Sequence, residues 1–395
     1  MNFAFFIILN GGTRFAIRVF RESFAPMSDT ARNVLVVGAG TAGNEIAKSL
    51  KSAKNKEYIP IGFVDRDPAT HNKRIQGIKV LGDLDSLRTH IKRHRVHEVF
   101  IAIPEAGPGL VKQVMDAARV PDWEVKFKIA PSVLDIMSGK YQLNQIRDVS
   151  INDLLSRPNI KLDDTHVRKQ LAARTVMVTG AGGSIGSEIC HQVAAYRPAR
   201  MVLLDAGEEH AYNIDQELKQ KHPDVAIHTV VGNMLDRGFM ELLFREYSMD
   251  FVFHAAAYKH VHLMEWNPLA CLKNNVLGTA TLAALAEKNG VQQFVMISTD
   301  KAVNPRGVMG LSKRLAERVI LERNPSNTLF NVVRFGNVLG SSGSVISLFQ
   351  KQIREGTPLT VTSEETRRFF MSIPEAVQLV LQASTLNESN AIFML

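Results

Sequence analysis

The chain has 395 residues, 45% hydrophobic and 22% charged, and its 47 Lys and Arg against 39 Asp and Glu leave a formal net charge of +8. That length allows two or three domains of about 150 residues, each able to bury a core, and the composition excludes a disordered or fibrous chain. Cys190 and Cys271 are the only cysteines and show no ligand-like spacing, which excludes a disulfide scaffold and suits a reducing cytoplasm.

The charge excess is uneven. Residues 1–32 hold four Arg and two acids, residues 33–150 eighteen bases and thirteen acids, and residues 151–395 twenty-five and twenty-four. Bases and acids are interleaved along helical stretches, with no dense basic stripe, so no nucleic acid partner is expected. The apolar run Phe3–Leu9 falls well short of the roughly 20 residues a spanning helix needs, and it lacks the basic start and small-residue end of a signal peptide. Arg14, Arg18 and Arg21 follow at helical spacing, with Phe15, Val19 and Phe20 elsewhere around the helix. Residues 1–32 thus read either as a basic amphipathic segment at a membrane surface or as a frayed leader.

Residues 33–150 read as a first nucleotide-binding domain. The β-rich run Asn33–Val37 enters Gly38-Ala39-Gly40-Thr41-Ala42-Gly43, and a helical pattern follows from Asn44 to Leu50. Gly38 permits the tight turn, Gly40 a close pyrophosphate, and Gly43 the packing of helix on strand. A second strand, Ile61–Val64, ends at Asp65, where an acid can hold a ribose hydroxyl. Either this is a working second nucleotide site, or it is a structural layer whose site is vestigial. Strands at Lys79–Leu81 and Glu98–Ile103 flank a helix at Leu84–His94 and continue the βαβ alternation. Polar interruptions and Pro158 then mark residues 151–174 as a linker.

Residues 175–395 read as the second domain. The strand Thr175–Thr179 passes into Gly180-Ala181-Gly182-Gly183-Ser184-Ile185-Gly186 and a helix from Ser187 to Ala195. Gly180, Gly183 and Gly186 give the GxxGxxG turn of short-chain dehydrogenases. The next strand, Met201–Leu204, closes on Asp205, an acid suited to the adenosine ribose and hostile to a 2′-phosphate, so NAD is the expected cofactor. A third strand reaches Asn233-Met234, where a side-chain amide can hold the adenine. A fourth, Phe251–His254, opens onto Ala255, Ala256 and Ala257, small enough for backbone to lie against the cofactor.

The strand Phe294–Ser298 ends in Thr299-Asp300-Lys301, and Met309-Gly310-Leu311-Ser312-Lys313 follows. In a short-chain dehydrogenase that pentad is YxxxK, with the Tyr as base. A thioether at Met309 cannot take a proton, so a simple alcohol dehydrogenase is disfavoured.

The runs HAAAYKHVHLMEWNP, FVMISTDKAVNPRGVMGLSKRLAE, VVRFGNVLGSSGSV and TRRFFMSIPEAVQLVLQA resemble the capsule and O-antigen type nucleoside-diphosphate-sugar 4,6-dehydratases of polysaccharide biosynthesis. The similarity extends over nearly the whole chain and is greatest to the long branch that carries Met in place of Tyr, whose usual substrate is UDP-N-acetylglucosamine. It implies two doubly wound Rossmann-like α/β domains in series, the second an extended short-chain dehydrogenase unit. It implies a bound NAD that takes a hydride from carbon 4 of the sugar and returns it to carbon 6, with Lys301 as base at carbon 5 and Asp300 as acid for the departing hydroxyl. Lys301 must then start neutral and Asp300 protonated, a state that needs a desolvated pocket. Without a Tyr, Thr299 is expected to relay the 4-hydroxyl proton, and Lys313 to hold the nicotinamide ribose.

Arg334, Asn337, Arg367 and Arg368 suit the substrate diphosphate, with Lys259 a further substrate contact. His260, His262 and Glu265 in one loop are too few for a metal site, and none is expected. The chain departs from the family at Asn233, where Asp is usual, at His262 and Ser347, where Pro is usual, and at Ser363, where His is usual. The final run Ile392–Leu395 reads as a strand without a partner, so the second domain is expected to be unfinished and the leader to be the stub of an anchor. The expected setting is cytoplasmic, at the inner face of the membrane, where basic residues are favoured near anionic lipid; a homo-oligomer is compatible with it. The alternatives are a UDP-sugar 4-epimerase, which would want the missing Tyr, and a non-catalytic nucleotide-sugar-binding protein, which would have no need of Asp300 and Lys301.

Overall fold

Strands covered on both faces need apolar side chains at nearly every position. The runs Val34-Leu35-Val36-Val37 and Val176-Met177-Val178 have that character, and the computed structural model buries both inside mainly parallel sheets. It describes residues 13, 31–52, 57–103, 106–121, 123–130, 147–149, 164–323, 327–341, 343–361, 363, 365, 367–386 and 388–395. The apolar run Phe3–Leu9, Arg14, Arg18, Arg21 and residues 151–163 of the expected linker lie outside the described residues. The chain divides into two units, Met1–Pro158 and Asn159–Leu395.

In the first unit, β1 (Arg32–Val37), β2 (Tyr58–Val64), β3 (Arg74–Ile75), β4 (Ile78–Gly82), β5 (Glu98–Ile101), β6 (Lys126–Ile129) and β7 (Arg147–Asp148) lie in the order β3-β4-β2-β1-β5-β6-β7. The sheet is parallel from β4 to β6, and its edges β3 and β7 are antiparallel. Ile46, Phe63 and Phe100 belong to one buried cluster, and Leu87, Ile91 and Val111 to another.

In the second unit, β8 (Thr175–Thr179), β9 (Arg200–Asp205), β10 (Ala226–Val231), β11 (Phe251–His254), β12 (Gln293–Thr299) and β13 (Leu329–Phe335) form one sheet with a last strand, β16 (Ala391–Met394). The order is β10-β9-β8-β11-β12-β13-β16, with every neighbouring pair parallel. Strand order reverses between β8 and β11, the place where a doubly wound sheet opens a crevice for ligand. Helices Ser184–Ala195, Glu208–Lys221 and Ile373–Ala383 contribute Ile189, Leu218 and Val377 to one buried cluster. Helices Arg237–Tyr247, Thr279–Lys288 and Val308–Leu321 contribute Phe244, Leu282 and Ile320 to the other. A short parallel pair, β14 (Asn337–Val338) with β15 (Phe370–Met371), stands apart from this sheet. Both units are therefore Rossmann-like, as the motifs imply.

Three expectations change. The helices after the glycine turns start at Thr41 and Ser184, earlier than Asn44 and Ser187, because the turns run directly into the first helical residues. Residues 164–174 are not linker: helix Thr165–Leu171 buries Val167 and Leu171 in the second unit's core, an apolar pair that a polar-looking segment concealed. The final run does have a partner. Residues Ala391–Met394 pair in parallel register with Asn331–Arg334 of β13, and the amide of Leu395 donates to the Arg334 carbonyl at 3.0 Å.

One described helical stretch, Pro268–Lys288, is long and apolar enough to cross a membrane by length and composition. Leu282, Ala283, Leu285 and Ala286 bury its far end against Phe294 and Phe330, so it serves as a core helix.

Candidate active site

The glycine turn of the second unit is shaped by close approach. Gly180 has φ +65°, a left-handed conformation that favours glycine, and an added Cβ there would meet the Ala256 backbone at 2.8 Å. A Cβ on Gly186 would lie 1.9 Å from the Gly180 carbonyl, so that helix and turn can touch only through glycine. Gly183 donates its amide to the Gly180 carbonyl at 3.0 Å, and Ser184 opens the helix with Ile185 packed on the core behind it. Asp205, 9% exposed, accepts the amides of Gly182 and Gly207 at 2.9 Å each. A carboxylate has about four acceptor sites, so two remain for a vicinal diol. Asn233 is exposed and its Oδ1 accepts the Leu235 amide at 2.9 Å, leaving the amide NH₂ to a ligand. Met234 is buried, its side chain against Gly278. Ala255 donates to the Thr179 carbonyl at 3.1 Å and Ala256 to Thr179 Oγ1 at 3.3 Å, which lays the Ala255–Ala257 backbone beside the turn. These residues fit a dinucleotide with a free adenosine ribose.

The first unit repeats the plan. Gly38 has φ +105°, and a Cβ on Gly43 would lie 2.1 Å from the Gly38 carbonyl. Asp65 accepts the amides of Ala39 at 2.5 Å and Asp67 at 2.8 Å, as Asp205 does in its own turn. Gly40 faces open space.

The side chains expected to react lie together at the end of β12. Thr299 is its last residue, and Asp300–Ala302 make a single 3-10 turn, so neighbouring side chains escape the strand's alternation and share one side. Thr299 Oγ1 donates to Asp300 Oδ1 at 2.9 Å, and Lys301 Nζ donates to that same oxygen at 3.0 Å and to Asn337 Oδ1 at 2.9 Å. Lys301 and Asp300 side chains are 35% and 40% exposed. The structure thus shows an ion pair where the expected reaction calls for a neutral lysine and a protonated acid. Asn337, expected on the diphosphate, instead holds Lys301.

Helix Val308–Leu321 supplies the pentad. Met309 is buried with Met264 and Cys271. Lys313 is buried, its Nζ donates to the Ile297 carbonyl at 2.5 Å, and burial pushes its pKa down to about 8, opposed by Glu317 and Cys271.

Arg334 is not a phosphate ligand. Its Nε and Nη2 meet Glu317 Oε1 and Oε2 at 2.7 and 2.5 Å in the core, and Ser298 Oγ donates to the same carboxylate at 2.5 Å. A guanidinium fork matches a carboxylate as well as a diphosphate, and Glu317 is the partner in the fold. Arg367 and Arg368 are exposed, with Arg368 donating to the Arg367 carbonyl at 2.8 Å. Lys259 is exposed on the loop after the alanines, and partial desolvation lowers its pKa. Glu265 accepts the Val308 amide at 2.8 Å and so caps the pentad helix, while His260 lies against Gly343.

Two residues without a motif tie the site together. Asn275, buried in the π-helical segment Lys273–Gly278, accepts the Tyr258 amide at 2.8 Å. Its Nδ2 donates to the Tyr258 carbonyl at 3.0 Å and to Ser312 Oγ at 2.9 Å. His254 is buried between Thr179 and Thr279, at 2.7 Å from Nδ1 and 2.9 Å from Nε2. Thr279 spends its proton on the Asn275 carbonyl at 2.7 Å, so Nε2 carries the imidazole proton and Nδ1 accepts from Thr179. Burial first, and the Lys313 charge second, push the His254 pKa down to about 3, which keeps the ring neutral.

Residues 176–395 match the family described as polysaccharide biosynthesis protein, and residues 1–128 match a CoA-binding domain. The chain is 41% identical over 387 residues to the probable polysaccharide biosynthesis protein EpsC of Bacillus subtilis, covering 98% of this chain and 64% of that protein. It is 40% identical over 393 residues to the capsular polysaccharide biosynthesis protein CapD of Staphylococcus aureus, covering 98% of this chain and 65% of the relative. The chain therefore spans about two thirds of the length of these relatives. Among solved structures, the dTDP-glucose 4,6-dehydratase DesIV of Streptomyces venezuelae, with NAD bound, shares the fold at a TM-score of 0.50 and 21% identity, covering 56% of this chain and 74% of that one.

Proposed function

The chain belongs to the polysaccharide biosynthesis protein family, and we propose that its second unit catalyses the 4,6-dehydration of a nucleoside-diphosphate sugar, UDP-N-acetylglucosamine, with NAD as resident cofactor. The observation that carries this reading is the hydrogen-bonded series Thr299, Asp300, Lys301 at the end of β12 in a unit whose pentad begins with Met309. An epimerase or alcohol dehydrogenase needs one base at a hydroxyl. Dehydration needs an acid and a base together, and this is the pair present.

Gly180, Gly183, Gly186, Asp205 and the Ala255–Ala257 backbone would hold the cofactor. When bound, NAD would take the hydride from carbon 4 and return it to carbon 6. The protons are the protein's task. Moving one proton from Lys301 Nζ to Asp300 Oδ1 over the 3.0 Å contact turns the ion pair into the neutral base and protonated acid that the reaction requires. No net charge changes, and exclusion of water by the sugar favours the neutral form of the pair. Lys301 then removes the carbon 5 proton, and Asp300 protonates the carbon 6 hydroxyl, which leaves as water. Thr299 receives the 4-hydroxyl proton at the oxidation, while Asp300 is still protonated, and passes it on through water or the ribose; once Asp300 has protonated the departing hydroxyl, it takes a proton back from water, which restores the acid. Lys301, its ammonium having exchanged with solvent, returns a proton to carbon 5, so every proton is accounted for. Asn337 fixes the lysine throughout, and Lys313 holds the nicotinamide ribose. Arg367, Arg368 and Lys259 are left for the diphosphate.

Incubation of the full chain with UDP-N-acetylglucosamine and NAD in heavy water should give a 4-keto-6-deoxy sugar nucleotide with one deuterium at carbon 5, read by mass and NMR. A carbon 4 epimer would establish the epimerase, and unchanged substrate that still binds would establish a binding protein.

A further inference from the structure

Glu317 is fully buried on the helix that carries Met309 and Lys313. It accepts from Ser298 on β12 at 2.5 Å and from Arg334 on β13 at 2.7 and 2.5 Å, and Arg314 Nη1 approaches to 3.8 Å. One carboxylate therefore ties three elements, and the residue it holds on β12 immediately precedes Thr299. A buried ion pair is weak support for stability, since apolar residues of similar volume often serve as well. Its placement points elsewhere. Lys313 lies one helical turn before Glu317, where side chains are neighbours.

The groups around Lys313 are Glu317 on its own helix, Cys271 on helix Pro268–Leu272 and His254 on β11, and Arg334 on β13 pairs with Glu317. His254 is a neutral ring, and Glu317, ahead of Cys271, is the group that most opposes the effect of burial on the Lys313 charge.

We propose that Glu317 is a positioning residue for the reaction: through Ser298 it fixes the strand end bearing Thr299, Asp300 and Lys301, and through its charge, balanced by Arg334, it keeps Lys313 cationic. This rests on the reading of that strand end and Lys313 as the reaction site. Arg334 sets how much of the carboxylate's field reaches Lys313, so the two partners of one ion pair act on Lys313 in opposite directions.

The test uses the full chain with ¹³Cε-labelled lysine, the Lys313 signal being assigned by its loss in Lys313→Arg. Glu317→Gln should lower the Lys313 titration midpoint by about one unit and Arg334→Met should raise it by a similar amount. The alkaline limb of sugar-nucleotide dehydration should move with each. Lower activity in both variants with the Lys313 midpoint unmoved would overturn the electrostatic role.

Ser298→Ala removes no charge and guards against a charge variant that does not fold. It should reduce kcat at least tenfold with KM and the Lys313 midpoint unchanged, and a normal kcat would overturn the positioning role. Opposite midpoint shifts in a protein that dehydrates no sugar nucleotide would uphold Glu317's control of Lys313 while refuting the reaction assigned to the site.

Discussion

At the scale of the residue, the site is governed by where each proton sits. His254 is neutral because the hydroxyls on either side leave it one donor and one acceptor position, and because burial opposes a second proton. Its pKa falls from 6.5 to about 3 on folding, so the unfolded chain binds the extra proton between those values. Stability must then rise with pH through that window and be lost on acidification, by roughly 5 kcal/mol at most. Urea unfolding at a series of pH values from 7 to 4 should show a shallower loss for His254→Gln than for the parent. Equal slopes would mean that His254 is not the titrating group. Thr299 makes a second claim at this scale. Under the proposed reaction, Thr299→Val removes the hydroxyl that takes up the 4-hydroxyl proton, so hydride transfer should fall a hundredfold or more. NAD should stay bound, because nothing in the glycine turn is touched; unchanged turnover would dispose of the relay.

At the scale of the element, what could be read in the sequence depended on whether the physical cause was local. The strands of both sheets stand out because two-sided burial demands unbroken apolar runs, and the glycine turns because their spacing is itself the geometry. The Thr299-Asp300-Lys301 cluster is local in the same way, three consecutive side chains at a strand end, while the roles expected of them rest on the family resemblance. Arg334 was not. Its partner Glu317 sits on a helix that the chain leaves before β13 begins, so only the fold reveals that the guanidinium is committed. Asn337 on β14 likewise meets Lys301 in the turn after β12, and Asn275 acts through a π-helical segment that leaves no pattern in LKNNVLG. Helix Thr165–Leu171 hid in a polar stretch because it contributes just Val167 and Leu171 to the core. Strand β16 reads as partnerless in the sequence because its neighbour in space, β13, is separated from it in the chain by two helices and the β14–β15 pair.

At the scale of the whole molecule, the same device has been built twice. In each unit an acid at the end of the second strand accepts two backbone amides, one of them from the glycine turn, and the last glycine of the turn packs on the carbonyl of the first. Each unit also has its own buried clusters on its own sheet, which is the condition for cooperative unfolding as a unit. The charge excess falls on residues 1–150, while residues 151–395 are nearly balanced, so the units also differ in how they respond to salt. Matched substitutions can therefore be addressed to one unit at a time. A Cβ at Gly43 would sit 2.1 Å from the Gly38 carbonyl and one at Gly186 1.9 Å from the Gly180 carbonyl, against backbone that cannot yield cheaply. Each alanine should cost about 1–3 kcal/mol or more. Differential scanning calorimetry should then resolve two transitions, with Gly43→Ala lowering one and Gly186→Ala the other. Gly186→Ala should also lose bound NAD, whereas Gly43→Ala should retain it. Gly40→Ala is the internal control, because its Cβ points into open space and should leave both transitions in place. A single transition shifted equally by Gly43→Ala and Gly186→Ala would show that the two sheets fold as one body, and the separate reading of the two turns would then fall.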